Sequence, residues 1–168
     1  MKVAVRPITI DDADASFFLK ENTGQTWEFM RREPSIHTLD AERQYIAWVL
    51  SDRKTRMFAV TVEDEYVGWV SLKNIANGAA ELSYCILRTD LRNKGIGTAA
   101  VGLVIDYGFD RLGLDLIYRY VHEDNKPSLA MTAKHRFAPV GISYINKKVS
   151  RYEMTRTGWR NQKNRKSE

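Results

Sequence analysis

The sequence predicts one α/β (α+β) domain, a central sheet of about seven strands flanked by about four helices in the order β-α-α-β-β-β-α-β-α-β-β. Three observations carry this expectation. Apolar residues alternate between strand-like and helix-like periods along the chain. Three successive strands in the middle are separated by tight turns, the second of which, Asn77-Gly78, is a strong hairpin signal. A long apolar helix then opens directly after a turn holding two glycines, Gly95 and Gly97. A chain of 168 residues buries a full core, and its 43% hydrophobic and 28% charged residues are those of an ordinary globular protein.

Residues 3–8 form the first strand, and Asp11-Asp12 opens a helix toward Lys20, its acids placed where the helix dipole favours negative charge. A second helix covers 38–50, opening as Thr38-Leu39-Asp40-Ala41-Glu42 and keeping Ile46, Val49 and Leu50 on one side. Strands at 57–62, 66–75 and 80–87 follow, joined by Glu63-Asp64-Glu65 and Asn77-Gly78. The long helix at 98–112 carries apolar groups on nearly every side, which predicts burial. Residues 116–122 are the next strand and 127–135 a helix, and strands around 141–145 and 149–154 close the fold. No internal repeat, linker or low-complexity segment interrupts this layout.

The formal net charge of +5 hints at nucleic acid until it is divided along the chain. Arg160, Lys163, Arg165 and Lys166 against Glu168 place +3 in the last nine residues and leave +2 for everything before them. The domain is therefore expected at 1–159, followed by a basic tail at 160–168 that has no apolar residue and is expected to be disordered. That tail is a solvated end or an interaction arm. With no aromatic RNA-binding motif, no nucleic-acid partner is expected. No apolar segment is long enough to span a membrane and no signal-peptide region leads the chain, so a cytoplasmic location is expected. Cys85 is the only cysteine, which excludes an intrachain disulfide and a cysteine zinc site, and no cluster of ligand residues suggests another metal.

The run Arg92-Asn93-Lys94-Gly95-Ile96-Gly97, continued by Thr98, is the most informative stretch. Two glycines let the backbone bend tightly and approach a ligand closely, and consecutive N–H groups face what the turn holds. The positive end of the following helix dipole points at the same place, so the turn fits an anion. Gly95-x-Gly97-x-x-Ala100, with Asp115 about twenty residues on, also satisfies a dinucleotide fingerprint. Context argues against that reading. A charged stretch, residues 88–94, separates the first glycine from the preceding strand, and too few residues remain for the other strands of a doubly wound domain.

Arg92-x-x-Gly95-x-Gly97, entered from a strand and continued by a long helix, resembles the Gln/Arg-x-x-Gly-x-Gly/Ala motif of the GNAT superfamily of N-acetyltransferases. A second family motif begins with Asn a dozen residues before a Phe, and Asn125 and Phe137 have that spacing. The resemblance covers residues 2–157 and implies a mixed sheet, acetyl-CoA as co-substrate, and a pyrophosphate held by the amides of the glycine turn. It further implies that the strands at 81–87 and 116–122 run parallel and splay apart around the pantetheine arm. Amides near Ile86 and Leu87, left unpaired at the splay, would bind pantetheine and polarise the thioester carbonyl. Family habit also implies a homodimer through the terminal strands.

The reaction implied is direct attack of a primary amine on the thioester in a ternary complex. A lysine-type amine, with a pKa of about 10.4, is almost wholly protonated at neutral pH, while an α-amine at about 7.7–8.0 is partly free. A base or a water chain must take the amine proton, N–H donors must meet the oxyanion, and an acid must meet the leaving sulfur. Glu81 is the candidate base, or else an ion-pair partner on a strand. Many family members place an acidic Tyr seven residues after the motif Asn, where this chain has Thr132. Asn125-x-x-Ser128 instead resembles the form of the RimJ/RimL-like ribosomal-protein N-terminal acetyltransferases. That form implies that Ser128 protonates or hydrogen-bonds the CoA sulfur and that Asn125 orients the pantetheine amides. Ser128 otherwise reads as the cap of the helix after Pro127.

The acceptor amine is a protein N-terminus or a small molecule, such as a polyamine or an amino sugar nucleotide. A non-catalytic acetyl-CoA sensor is the further alternative. Trp27 and Phe29, in the loop between the first two helices, are candidate acceptor contacts or an ordinary cover for the core. Tyr118, Tyr120 and His122 share one face of their strand, where Tyr120 and His122 either line the acceptor pocket or pack.

Overall fold

A computed structural model describes residues 1–22, 38–142 and 148–166. The elements are β1 (Val3–Pro7), α1 (Asp12–Glu21), α2 (Leu39–Ser51), β2 (Arg56–Val62), β3 (Glu65–Ala76), β4 (Ala79–Ile86), α3 (Ile96–Asp110), β5 (Leu116–His122), α4 (Lys126–Lys134), β6 (Ala138–Ile142), β7 (Val149–Thr155) and α5 (Arg156–Lys166). The seven strands form one sheet in the order β1-β2-β3-β4-β5-β7-β6. Only β4 and β5 are parallel, because α3 carries the chain across the sheet between them. Every other neighbouring pair is antiparallel. The mixed sheet and the element order agree with the sequence reading.

One face of the sheet is covered by α3, whose Ile96, Ala100, Val104 and Gly108 and whose Val101, Ile105 and Phe109 form two rows at four-residue spacing against it. They pack on Val70, Leu72, Ala80, Leu82 and Ile117. The helix is buried on this side, as its apolar composition predicts, while Leu103 on the other side stays exposed. The opposite face carries α1 and α2 over a second cluster of Ile8, Ala13, Ile46, Val49 and Met57. Thr38 caps α2 by accepting from Ala41 N–H at 3.1 Å. A buried ion pair joins the two helices: Lys20 Nζ lies 2.7 and 2.8 Å from the oxygens of Glu42, and Ser16 Oγ donates to Glu42 Oε1 at 2.6 Å.

Two expectations shift. β6 starts at Ala138, ahead of the expected 141, and includes Pro139. As an edge strand bonded only to β7, it loses no ladder partner through a missing N–H. The segment expected as a disordered tail from residue 160 is helical to Lys166. Its anchor is Trp159, buried against Phe109 with ring centroids 5.1 Å apart and donating from Nε1 to Asp106 Oδ1 at 2.7 Å. Lys163, one turn on, lies 4.5 Å over the Trp159 ring and reaches Asp106 at 3.2 Å and Asp110 at 3.5 Å. A polar run without a period of its own is thus held by acids on α3. Among the described residues, no helix is long and apolar enough to cross a membrane.

Candidate functional site

The glycine turn ends in the geometry an anion needs. Gly95 stands just ahead of α3 at φ +81°, a left-handed conformation that residues with a Cβ rarely adopt. The first intrahelical bond is Ala99 N–H to Gly95 O at 2.9 Å, so the amides of Ile96, Gly97 and Thr98 have no acceptor within the helix. No side chain caps them, and no acidic residue occupies the first turn. Asn93, Lys94 and Gly95 are exposed, and Arg92 Nε donates to Ile86 O at 3.3 Å, tying the turn to the end of β4. A pyrophosphate fits this set: bare amides, a helix dipole and two cations.

Beside the turn, the sheet opens. β4 and β5 pair only as Ala79 with Leu116, Ala80 with Ile117 and Glu81 with Tyr118, then continue separately to Ile86 and His122. Leu87 N–H donates to Val67 O at 2.8 Å. This corrects the pairing of Ile86 with Leu87 as free amides, because Leu87 is committed to β3. By the alternation of an antiparallel ladder, Ile86 and Tyr84 turn their amides toward the open side.

The two faces of the opening differ in chemistry. On the α1/α2 face stand Glu81, Ser83 and Cys85 of β4 beside Tyr118, Tyr120 and His122 of β5. Glu81 is buried, accepting from Asn74 Nδ2 at 3.1 Å with Lys73 Nζ at 3.4 Å. Lys73 stands directly opposite Glu81 in the β3–β4 ladder, and Asn74 follows it where the register shifts between Lys73 and Ala76. Arg151 lies 4.0 Å over the Tyr118 ring, donates to Tyr120 OH at 3.1 Å and pairs with Glu153 at 2.8 Å. His122 Nδ1 accepts from Asp124 N–H at 3.2 Å. Trp27 and Phe29 lie outside the described residues.

On the α3/α4 face, Asn125 is the cap of α4, its Oδ1 accepting from Ser128 N–H at 3.2 Å. Ser128 is therefore not the cap; its Oγ accepts from Arg119 Nη2 at 2.7 Å. Thr132, at the position where a tyrosine acid is common in the family, is buried and donates its hydroxyl to Ser128 O at 2.7 Å. That bond to the helix backbone occupies its proton. The Tyr84 phenol joins this group; burial pushes its pKa up against the pull of Arg119 and of a hydrogen bond with Ser128. Sequence reasoning missed Arg119 and Tyr84, which read as alternating strand residues.

Residues 2–138 match the family of acetyltransferase (GNAT) domains. The chain is 29% identical to "Probable N-acetyltransferase YjcK" of Bacillus subtilis over 157 residues, 88% of this chain and 87% of that one. It superposes on RimJ of Mycobacterium smegmatis in complex with CoA-disulfide at a TM-score of 0.83 and 20% identity, covering 91% of this chain and 81% of that one. It superposes on the spermidine N-acetyltransferase of Vibrio cholerae in complex with CoA and spermine at 0.81 and 21% identity, covering 95% and 98%.

Proposed function

The chain belongs to the GNAT acetyltransferases, acetyl-CoA-dependent N-acetyltransferases, and on that premise we propose that its acceptor is the α-amine of a protein or peptide N-terminus. The observation that carries this reading is the state of the carboxylates on the acceptor face. Among the described residues there, Glu81 is paired with Lys73 and Glu153 with Arg151. A polycation would have to displace both cations, whereas one α-amine, partly neutral already at a pKa of about 7.7–8.0, needs only one proton acceptor and a neutral wall. Tyr118 and Tyr120 supply such a wall.

In this reading the amides of Ile96, Gly97 and Thr98, with Arg92, Asn93 and Lys94 around them, hold the pyrophosphate, and Ile86 and Asn125 line the pantetheine path. Glu81 takes the amine proton on one side of the sheet, and Ser128 meets the sulfur on the other. Separation by the sheet suits a reaction whose base and acid must not neutralise each other.

Initial rates with peptides bearing a free N-terminus, with spermidine and with an amino sugar nucleotide test the acceptor. The highest kcat/KM is expected for a peptide; spermidine turning over faster than every peptide would refute it. Ser128→Ala is expected to lower kcat about 10–100-fold, within the range of a lost acid–base contact. Its affinity for acetyl-CoA by calorimetry should stay within twofold. A folded variant with the original kcat removes Ser128 from the chemistry.

A further inference from the structure

Arg119 is a charge in an unusual place. It sits on β5 immediately after the last rung shared with β4, is 4% exposed, and points into the α3/α4 face at the floor of the opening. Its Nη2 donates to Ser128 Oγ at 2.7 Å and its Nη1 to Met131 Sδ at 3.4 Å, while its Nε has no partner among the described residues. The Tyr84 ring lies 5.4 Å from the guanidinium carbon. Among the described residues, the titratable groups acting on it are Tyr84 of β4 and Tyr152 of β7, and no carboxylate does so. Burial pulls the guanidinium down to about 10, which still leaves it cationic at neutral pH.

A buried, unneutralised cation is expensive, and a wholly structural site would fill this volume with a hydrocarbon side chain. The cost is offset if an anion arrives during turnover. An arginine only donates, so its bond to Ser128 Oγ does not use the serine's own proton, which is shared between the Tyr84 phenol and the opening.

We propose that Arg119 is a positioning residue for the departing thiolate: it holds Ser128 Oγ as an acceptor, directs the serine O–H at the sulfur, and lends its uncompensated charge to the anion forming there. The inference rests on the placement of Ser128 at the sulfur given above. In the step it serves, the N–C bond forms and the C–S bond breaks with its electron pair kept on sulfur. Ser128 hydrogen-bonds that sulfur, and the proton released by the amine finally neutralises it.

The readout is the pKa of the thiol of bound CoA, followed by thiolate absorbance against the desulfo-CoA complex as blank. Burial pushes the Cys85 thiol up to about 11, so it stays silent below pH 10. The wild-type complex is expected to titrate about 1–2 units below free CoA, the range for a cation within a few ångströms. Arg119→Met should bring the value back to that of free CoA and lower kcat about 10–100-fold. Its KM for acetyl-CoA and its melting temperature should hold, or the latter rise. Should Arg119→Met not fold, Arg119→Gln carries the same test, since it keeps a donor toward Ser128 without the charge; Arg119→Lys should retain part of the depression. A wild-type thiol titrating like free CoA overturns both this inference and the role of Ser128. Depression lost in Ser128→Ala but kept in Arg119→Met or Arg119→Gln overturns Arg119 alone.

Discussion

Thr98→Asp is expected to abolish useful acetyl-CoA binding while leaving the fold intact or slightly more stable. Position 98 is in the first turn of α3, where three amides have no acceptor within the helix and no acidic residue is present. A carboxylate there satisfies an amide and complements the dipole, adding about 0.3–1 kcal/mol to the helix. The same carboxylate repels the pyrophosphate, and two unit charges 4 Å apart repel by about 1 kcal/mol in water and about 4 kcal/mol in the effective dielectric near a protein surface. Together with the loss of the free amides, this predicts an affinity at least about 100-fold weaker, or roughly 2.8 kcal/mol. Calorimetry with CoA measures it, and thermal unfolding of the free protein shows that the helix survives. A variant binding CoA within twofold of wild type would mean that the pyrophosphate does not rest on these amides.

Gly68→Ala is expected to cost about 4 kcal/mol or more, among the largest effects of a single methyl group. Gly68 of β3 pairs with Ile86 of β4, and a Cβ at this position would stand 2.2 Å from Cys85 O and 3.0 Å from Ile86 Cα. Both contacts are backbone, so no rotamer relieves them; β3 and β4 must part, or the ladder must slip. The melting temperature should fall by about 10 °C, at a few degrees per kcal/mol for a chain of this size. Any folded remainder should bind CoA weakly, because the displaced strand carries the Ile86 edge of the opening. A melting temperature within about 2 °C of wild type would show slack between the strands and refute the prediction.

The elements legible in the sequence are those whose cause is local. The glycine turn could be read from Gly95 and Gly97 because a left-handed residue and uncapped amides are properties of a few consecutive residues. Asn77-Gly78 closed its hairpin for the same reason, with both residues at positive φ. The α5 helix could not be read that way. Trp159 and Lys163 look like an isolated aromatic and a surface cation until Asp106, 53 residues earlier, is placed beneath them.

The same division runs through the site. Asn125-x-x-Ser128 is a motif of one helical turn, so both residues could be named without a structure, although which of them caps the helix could not. Arg119 carried no local signal: its hydrogen-bond partners sit on α4, and its isolation from the carboxylates of the described residues is a property of three elements packed together. By itself the sequence pointed to the family through the resemblance of its motifs, and it determined the element order and the anion-binding turn, because short-range backbone geometry and hydrophobic period set those two. Only the tertiary structure decided where β4 and β5 part, that Leu87 is committed to the sheet, and that a buried cation lies against Ser128. Each of these depends on strand register and side-chain packing between residues distant in the chain, which no local pattern encodes.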